Sequence, residues 1–227
     1  MKLTVSELAK MIDHTLLKPY ITNVEMEQAC DVAKKYGFKT VAMNGAMIPL
    51  AASCLAGSGV ICDSAVGFPF GQCTIETKAF EAEDAIRNGA GEVDYVVNIV
   101  EVKNGNWDYV EREMRAIVDV CNAQGVTSKV VFENCYLNDA QKRKLCEIAV
   151  RVRPTFVKTS TGYGTGGATL EDVRLMKACV GDAVRVKAAG GIRTAEQALA
   201  FIEAGASRIG TSNGAAIVDG YAAMCGK

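Results

Sequence analysis

Histidine, proline and tryptophan are scarce in this sequence, which has one histidine, four prolines and one tryptophan among 227 residues. One histidine cannot build a metal site of two or three imidazoles. No run reaches the roughly 18 apolar residues that span a membrane, and the opening MKLTVSELAKMIDH carries charges that interrupt any secretory signal. Basic residues show no excess, with 25 Lys and Arg against 26 Asp and Glu. We therefore expect neither a membrane nor nucleic acid as a partner.

Cysteine is abundant, but the nine cysteines include no C-x-x-C pair. Zinc ribbons and thioredoxin-like sites need that local spacing, and disulfide-stapled secreted scaffolds are usually much shorter. The cysteines therefore indicate reduced, mostly buried thiols in a cytoplasmic protein.

A unit of helix, glycine and short apolar strand recurs along the chain, for example in KKYGFKTVAMN and EAGASRIGTS. Glycine commonly ends a helix in the left-handed conformation, so each of these glycines is expected to close a helix before a strand. Eight strands are predicted, at Met11–Leu17, Thr40–Asn44, Ile61–Val66, Glu92–Asn98, Lys129–Asn134, Thr155–Ser160, Val184–Ala189 and Arg208–Ser212. Helices are predicted between them, including Val24–Tyr36, Ile75–Asn88, Trp107–Ala123, Asp139–Val152, Leu170–Cys179 and Ala195–Ala204, with Thr74, Thr169 and Thr194 as N-caps.

Eight strand–helix units of about 28 residues each would use the whole chain. A doubly wound open sheet is the competing architecture. The even strand count and the length favour an α/β fold consisting of a single (β/α)8 TIM barrel over residues 1–227, with a short N-terminal helix. The site of such a barrel lies at the C-terminal ends of its strands.

Two lysines lie in apolar strands near these ends, Lys158 in TFVKTS and Lys187 in VRVKAA, with Asp94 on a third strand. A lysine in such a place either reaches the rim, pairs with an acid, or serves chemistry. Two neighbouring lysines suit Schiff-base formation, because repulsion of about 3 kcal/mol at 5 Å lowers the pKa of one of them by about two units. Asp94 would then move protons on the bound intermediate.

Glycine-rich turns follow the last three predicted strands, and such turns often form a phosphate site. They contain Gly162, Gly190 and Gly191, and Gly210 with Ser212; Arg193 could add a donor. The G-x-G-x-x-G pattern that starts at Gly162 also fits a dinucleotide fingerprint, but it follows a late strand rather than the first. Asp13 is a candidate partner of Lys187, the lone His14 is expected to be structural, and Glu133 is either a site carboxylate or a partner of a lysine.

Several segments together resemble the deoxyribose-phosphate aldolases, a family of class I aldolases. They are IDHTLLKP (12–19), VGFPFG (66–71), EVDYVVN (92–98), FVKTSTG (156–162), GTGGAT (164–169), VKAAGGIR (186–193) and RIGTS (208–212). They run in order along nearly the whole chain, and VKTSTG together with KAxGG is a specific combination.

The resemblance implies a (β/α)8 barrel that reversibly cleaves 2-deoxy-D-ribose 5-phosphate to acetaldehyde and glyceraldehyde 3-phosphate, without cofactor or metal, as a homodimer. It makes Lys158 the Schiff-base lysine and Lys187 the lysine that lowers its pKa. Asp94 becomes the acid/base carboxylate and Asp13 a member of its proton relay, while the glycine turns and Ser212 hold phosphate. Gly45, Asn134, Ala189 and Asn213 depart from the family pattern.

Two alternatives stay open from the sequence. One is another lysine-dependent aldolase or transaldolase with a different acceptor. The other is a catalytically silent barrel that only binds a phosphorylated ligand.

Overall fold

The computed structural model describes residues 3–226, and its strands pair in chain order as a closed parallel barrel. The strands are β1 Ile12–Thr15, β2 Thr40–Asn44, β3 Ile61–Val66, β4 Glu92–Val96, β5 Thr127–Val131, β6 Phe156–Lys158, β7 Arg185–Ala189 and β8 Arg208–Thr211. The ring closes through pairing of β1 with β8, as Asp13 opposite Gly210 illustrates. The predicted (β/α)8 barrel is confirmed.

Helices surround the barrel and follow each strand. They are α1 Val5–Ala9, α2 Asn23–Tyr36, α3 Ile48–Leu55, α4 Ile75–Arg87, α5 Ile99–Asn104, α6 Trp107–Ala123, α7 Asp139–Val152, α8 Leu170–Val180, α9 Ala195–Glu203 and α10 Gly214–Met224. The short N-terminal helix of the prediction is α1. Within residues 3–226, no helix combines the length and apolarity needed to cross a membrane.

The predicted helix boundaries rest on local chemistry. The hydroxyl of Thr194 accepts a hydrogen bond from the amide of Gln197, whose side chain bonds back to form a capping box. Thr169 caps α8 as predicted. No capping box forms there, because the carboxylate of Asp172 accepts a 2.6 Å hydrogen bond from Lys142 instead of bonding back to the backbone N–H of Thr169. Gly37 ends α2 in the left-handed conformation at φ 67°, as the recurring glycine predicts.

Several predicted strands extend too far at their C-terminal ends. Strand β4 stops at Val96, and Asn98 instead caps α5, while β5 begins at Thr127 and stops at Val131. Glu133 lies beyond β5 with a positive φ of 55°. The apolar pattern continues past the ladder because the following turns are themselves buried, so hydrophobicity alone overestimates the strands.

The apolar core lies between the strands and the helices rather than inside the barrel. Alternation along β4 places Val93 and Tyr95 toward the helices, where the Tyr95 ring packs 5.9 Å from the Nζ of Lys78 in α4. The same alternation turns Glu92 and Asp94 inward. Barrel interiors are usually filled with layers of branched apolar side chains. Here the interior is charged, and that charged interior forms the floor of the site.

Candidate active site

A buried network of four carboxylates and four cations fills the barrel interior. Its members are Asp13, Asp63, Glu92, Asp94, Lys129, Lys158, Lys187 and Arg208, each at most 5% exposed. They come from seven strands and are joined by ion pairs of 2.6 to 3.3 Å. With every group ionised, the network is electrically neutral. Buried charges persist in proteins only with such pairing.

Asp94 lies between the two lysines that the sequence singled out. Its Oδ2 atom accepts hydrogen bonds from Lys158 Nζ at 2.6 Å and from Lys187 Nζ at 2.8 Å. Strands β6 and β7 place Lys158 directly opposite Lys187. The Oδ1 atom of Asp94 lies 2.7 Å from Lys129 Nζ. This third lysine therefore holds the carboxylate in position between Lys158 and Lys187.

The protonation of Lys158 is set by opposing influences. Burial has the largest effect and lowers the pKa of its ammonium group. The charge of Asp94 raises this pKa, and the charge of Lys187 lowers it further. The net pKa shift is downward, toward the neutral amine that can attack a carbonyl. The sequence predicts repulsion by the neighbouring lysine as the main cause of this pKa shift, whereas in the structure burial has the larger effect.

Lys187 and Asp13 form a second, firmly ionised pair. Asp13 Oδ2 lies 2.6 Å from Lys187 Nζ, and Asp13 Oδ1 accepts a 2.7 Å hydrogen bond from Arg208. Burial opposes ionisation of Asp13, but Lys187 and Arg208 outweigh it and hold its pKa below the usual range. Burial likewise opposes protonation of Lys187, but Asp13 and Asp94 raise its pKa. Lys187 is therefore a permanent cation beside Lys158.

A cavity of about 500 Å³ opens above Lys158 at the C-terminal ends of β6, β7 and β8. All the predicted phosphate-binding residues line it, namely Gly162, Gly190, Gly191, Gly210 and Ser212, together with Arg193. The hydroxyl of Thr211 donates a 2.7 Å hydrogen bond to the carbonyl of Ile192, so the turns after β7 and β8 are held together. The structure thus brings the lysine and the glycine turns to one cavity.

Glycine is required at two of these positions for different reasons. Gly190 has a φ of +94°, and an added Cβ would lie 2.9 Å from the Cα of Gly167. Gly210 has no such backbone requirement. A Cβ there would lie 2.9 Å from the Cβ of Ala189 and 3.2 Å from the Cε of Lys187, so its lack of a side chain makes room for the lysine.

Glu133 faces a smaller neighbouring cavity of about 290 Å³. Its carboxylate accepts hydrogen bonds from the backbone N–H of Thr161, at 3.2 Å, and from the Thr161 hydroxyl. Burial raises its pKa. Among residues 3–226 no lysine lies within ion-pairing distance of it, so of the two roles left open for Glu133 the pairing with a lysine is wrong. It holds in place the loop that follows Lys158.

His14 and the carboxylate cluster below the site are both engaged in contacts with neighbouring side chains. The His14 ring packs against Phe38 at 5.4 Å between centroids, and burial lowers its pKa to about 4. Oxygens of Asp13, Asp63 and Glu92 lie within 4.8 Å of one another. These oxygens already face Lys129, Lys187 and Arg208, whose cationic groups balance their charge.

Comparison with known proteins decides the family. Residues 7–220 match the DeoC/LacD family aldolase. The chain belongs to this family. It is 49% identical over 217 residues to a deoxyribose-phosphate aldolase of Lactobacillus acidophilus, covering 96% of this chain and 92% of the relative. It is 51% identical to a deoxyribose-phosphate aldolase of Thermococcus gammatolerans, over 94% of this chain and 96% of the relative.

Solved structures give the same result for the fold of this DeoC/LacD aldolase. A tetrameric deoxyribose phosphate aldolase from Aeropyrum pernix superposes with a TM-score of 0.91 at 30% identity, covering 97% of this chain and 93% of the other. A protein described as QR15, an aldolase, superposes with a TM-score of 0.91 at 36% identity, covering 96% and 97% of the two chains.

Sequence reasoning missed half of the charged network of this DeoC/LacD aldolase. The missed residues are Asp63, Glu92, Lys129 and Arg208. Each is a charged residue in an otherwise apolar strand, which is the signal that drew attention to Lys158 and Lys187. Glu92 and Asp94 are two positions apart, and this spacing alone places both side chains on one face of β4.

Proposed function

We propose that this chain reversibly cleaves 2-deoxy-D-ribose 5-phosphate to acetaldehyde and D-glyceraldehyde 3-phosphate through a Schiff base on Lys158. One observation carries the proposal: Lys158 is a buried lysine with a lowered pKa, it contacts Asp94, and it forms the floor of a cavity rimmed by glycine turns. The close relatives named as deoxyribose-phosphate aldolases supply the substrate.

The first half of the reaction needs a neutral amine and a proton carrier. The Lys158 nitrogen attacks the C1 aldehyde of the open-chain sugar, and water leaves to give an iminium ion. The positive iminium draws the electrons of the C2–C3 bond as that bond breaks, while the C3 hydroxyl loses its proton. Asp94 is the carboxylate placed to accept this proton, directly or through water.

The second half reverses these proton movements. The enamine left on Lys158 takes a proton at C2, and water then releases acetaldehyde and the free lysine. Asp94 returns to C2 the proton that it accepted from the C3 hydroxyl, while Lys187, which donates to Asp94 Oδ2 at 2.8 Å, stays protonated and holds that carboxylate in place. Lys187 and Asp13 stay ionised, so the charges that surround Asp94 are the same throughout the cycle.

The phosphate of the substrate fits the rim formed by the turns after β6, β7 and β8. Backbone N–H groups of glycine turns bind phosphate because no side chain shields them. The amino end of α10 lies at this rim and has no side-chain cap, which leaves its N–H groups for an anion. Ser212 and Arg193 add a hydroxyl and a cation.

Borohydride trapping tests the covalent step. The protein is incubated with acetaldehyde and borohydride, and the modified peptide is mapped by mass spectrometry. We expect the reduced adduct on Lys158 and none on Lys187 or Lys129. A matched control is Lys142→Met, which removes a buried, paired lysine of α7 and should leave trapping unchanged. An adduct on any other lysine would contradict the mechanism.

Substrate comparison tests the reaction against the other lysine-dependent aldolases. We expect 2-deoxy-D-ribose 5-phosphate to be cleaved faster than fructose 1,6-bisphosphate, with activity retained in EDTA. Equal or faster cleavage of the bisphosphate would transfer the chain to another aldolase type. Binding of phosphorylated ligands without cleavage would indicate the silent barrel.

We further propose that the chain works as one catalytic domain in a cytoplasmic homodimer. The closed ring runs from β1 to β8 in chain order, which supports a single unit, and all nine cysteines are unpaired, which suits a reducing compartment. Light scattering should give twice the chain mass of 24.1 kDa. A fourfold mass would instead match the tetramer named for the Aeropyrum pernix structure.

A further inference from the structure

Asp63 takes no part in the steps above, although it lies fully buried beside the lysines that do. Its Oδ2 atom lies 2.8 Å from Lys129 Nζ and accepts a 3.3 Å hydrogen bond from Lys187 Nζ. Its Oδ1 atom has no hydrogen-bond partner among residues 3–226. The titratable groups around it are Asp13 of β1, Glu92 and Asp94 of β4, Lys129 of β5, Lys158 of β6 and Lys187 of β7, with Cys62 next to it in β3.

The charges of the network no longer balance when Lys158 loses its proton in order to react. With all eight groups ionised the buried charges cancel, but a neutral Lys158 leaves one uncompensated negative charge in the barrel interior. An unpaired buried charge is strongly unfavourable, so it is removed by protonation of a neighbouring group where one can accept the proton. A carboxylate that takes up a proton restores neutrality.

Asp63 is the carboxylate best placed to take that proton. Both oxygens of Asp94 and both oxygens of Asp13 face cations at 2.6 to 2.8 Å. Glu92 receives Lys129 and both terminal nitrogens of Arg208. Asp63 makes both of its ion pairs through Oδ2, and its Oδ1 has no hydrogen-bond partner in the described chain. Burial and the charge of Asp94 raise the pKa of Asp63 to about 6, against the opposing effect of Lys129 and Lys187.

We propose that Asp63 receives the proton that Lys158 must lose, so that the network stays neutral while the amine is free to react. This inference rests on the proposed function, in which the neutral Lys158 amine attacks the substrate. It makes Asp63 a positioning residue for charge rather than a group that touches the substrate.

The contacts provide a balanced route for this proton. Lys158 gives a proton to Asp94 Oδ2 while Lys187, bonded to the same oxygen, gives one of its own protons to Asp63 Oδ2 and takes up the one on Asp94. One N–H bond is broken at Lys158 and one O–H bond is formed at Asp63. Asp94 and Lys187 end as they began, and no charge leaves the barrel.

An internal transfer of this kind has a distinctive dependence on pH. When a proton moves from Lys158 to Asp63, no proton is exchanged with solvent. The fraction of protein with a neutral Lys158 therefore stays constant once the pH is high enough for Asp63 to have lost the proton that it holds in acid. In the wild type, kcat/KM should therefore stop rising near pH 6. Without a carboxylate at this position, the proton of Lys158 must go to solvent, and kcat/KM should rise about tenfold per pH unit until the lysine itself has titrated.

The test compares kcat/KM for deoxyribose 5-phosphate from pH 5 to 9 in the wild type and Asp63→Asn. We expect kcat/KM of the Asn variant to level off at a pH at least one unit higher than in the wild type. Its kcat/KM above pH 7 should equal or exceed that of the wild type. Glu113→Gln is the matched control, since Glu113 is a fully buried carboxylate paired with Lys78 outside the network. Its profile should keep the wild-type shape.

A level-off at the same pH in Asp63→Asn and the wild type would overturn the inference. Infrared difference spectra of the wild type with 13C-labelled aspartate give a second test, which does not depend on the folding of the Asn variant. We expect one buried aspartic acid to appear as the pH falls through about 6, and no such titration between pH 5 and 7 would also overturn it. Borohydride trapping on Lys158 separates the two proposals, because it depends on the Schiff base and not on Asp63.

Discussion

Replacing Lys187 by methionine tests whether this lysine acts on Lys158 through its charge. Methionine is similar in length, uncharged and compatible with a buried site. Lys187 shares the Oδ2 atom of Asp94 with Lys158, so its ammonium group is the cation that Lys158 meets across that oxygen. Removing it abolishes one repulsion and frees parts of Asp13 and Asp94 to stabilise the Lys158 ammonium. Both effects raise the pKa of Lys158.

The magnitude follows from the geometry. Two unit charges that share one hydrogen-bonding oxygen are about 5 Å apart, and at an effective dielectric constant of about 20 they repel by about 3 kcal/mol. At 1.36 kcal/mol per unit, that is about two pKa units. If the amine is the reactive form, kcat/KM at pH 7 should fall about 100-fold in Lys187→Met. The loss should shrink about tenfold for each unit by which the pH is raised.

The assay is the cleavage rate of deoxyribose 5-phosphate from pH 6 to 10, with borohydride trapping at each pH. Lys142→Met supplies the control, because Lys142 is a buried lysine that pairs with Asp172 at 2.6 Å in the helical layer. A loss in Lys187→Met that stays constant at every pH would refute the charge argument. It would mean that Lys187 acts by donating a proton or by holding Asp94 in place.

Three further predictions concern other parts of the molecule. Gly210→Ala places a methyl group against the Cε of Lys187 and should lower kcat more than it raises KM for the phosphorylated substrate, as measured by steady-state kinetics. Lys78→Met leaves Glu113 buried without its partner and should lower the free energy of unfolding in urea by about 3 to 5 kcal/mol. The buried His14 has a pKa lowered to about 4, so the unfolded chain binds a proton that the folded chain refuses. Stability should therefore fall as the pH drops from about 6.5 to 4, and His14→Gln should flatten this part of a melting-temperature profile.

The architecture could be predicted from the sequence because local signals repeat along the chain. Gly37 closes α2, Thr194 caps α9, and runs such as Thr40–Asn44 mark strands buried on both faces. Strand ends were less predictable. Past β4 and β5 the apolar residues continue into buried turns, and only the hydrogen-bond ladder shows where each strand stops.

The predicted site residues meet because parallel strands bring their C-terminal ends together. What the sequence could not show is which additional charges join them, since this depends on register across strands far apart in the chain. Asp63 and Lys187 are 124 residues apart, yet Lys187 Nζ donates to Asp63 Oδ2. A charged residue in one strand can be placed on a face from spacing alone, but its partner three or four strands away cannot.

Register also distinguishes Lys158, the proposed nucleophile, from the other two lysines of the charged network. Lys129 pairs with Asp63, Glu92 and Asp94, and Lys187 pairs with Asp13, Asp63 and Asp94, whereas Lys158 has Asp94 alone. Burial lowers the pKa of all three, but carboxylates reverse this for Lys129 and Lys187 and not for Lys158. Of the three lysines, it is also Lys158 that lines the large cavity. The shortage of carboxylates around Lys158 supports its proposed role as the nucleophile, and it is also the reason why the proposed loss of its proton calls for a second group of the network, the role inferred for Asp63.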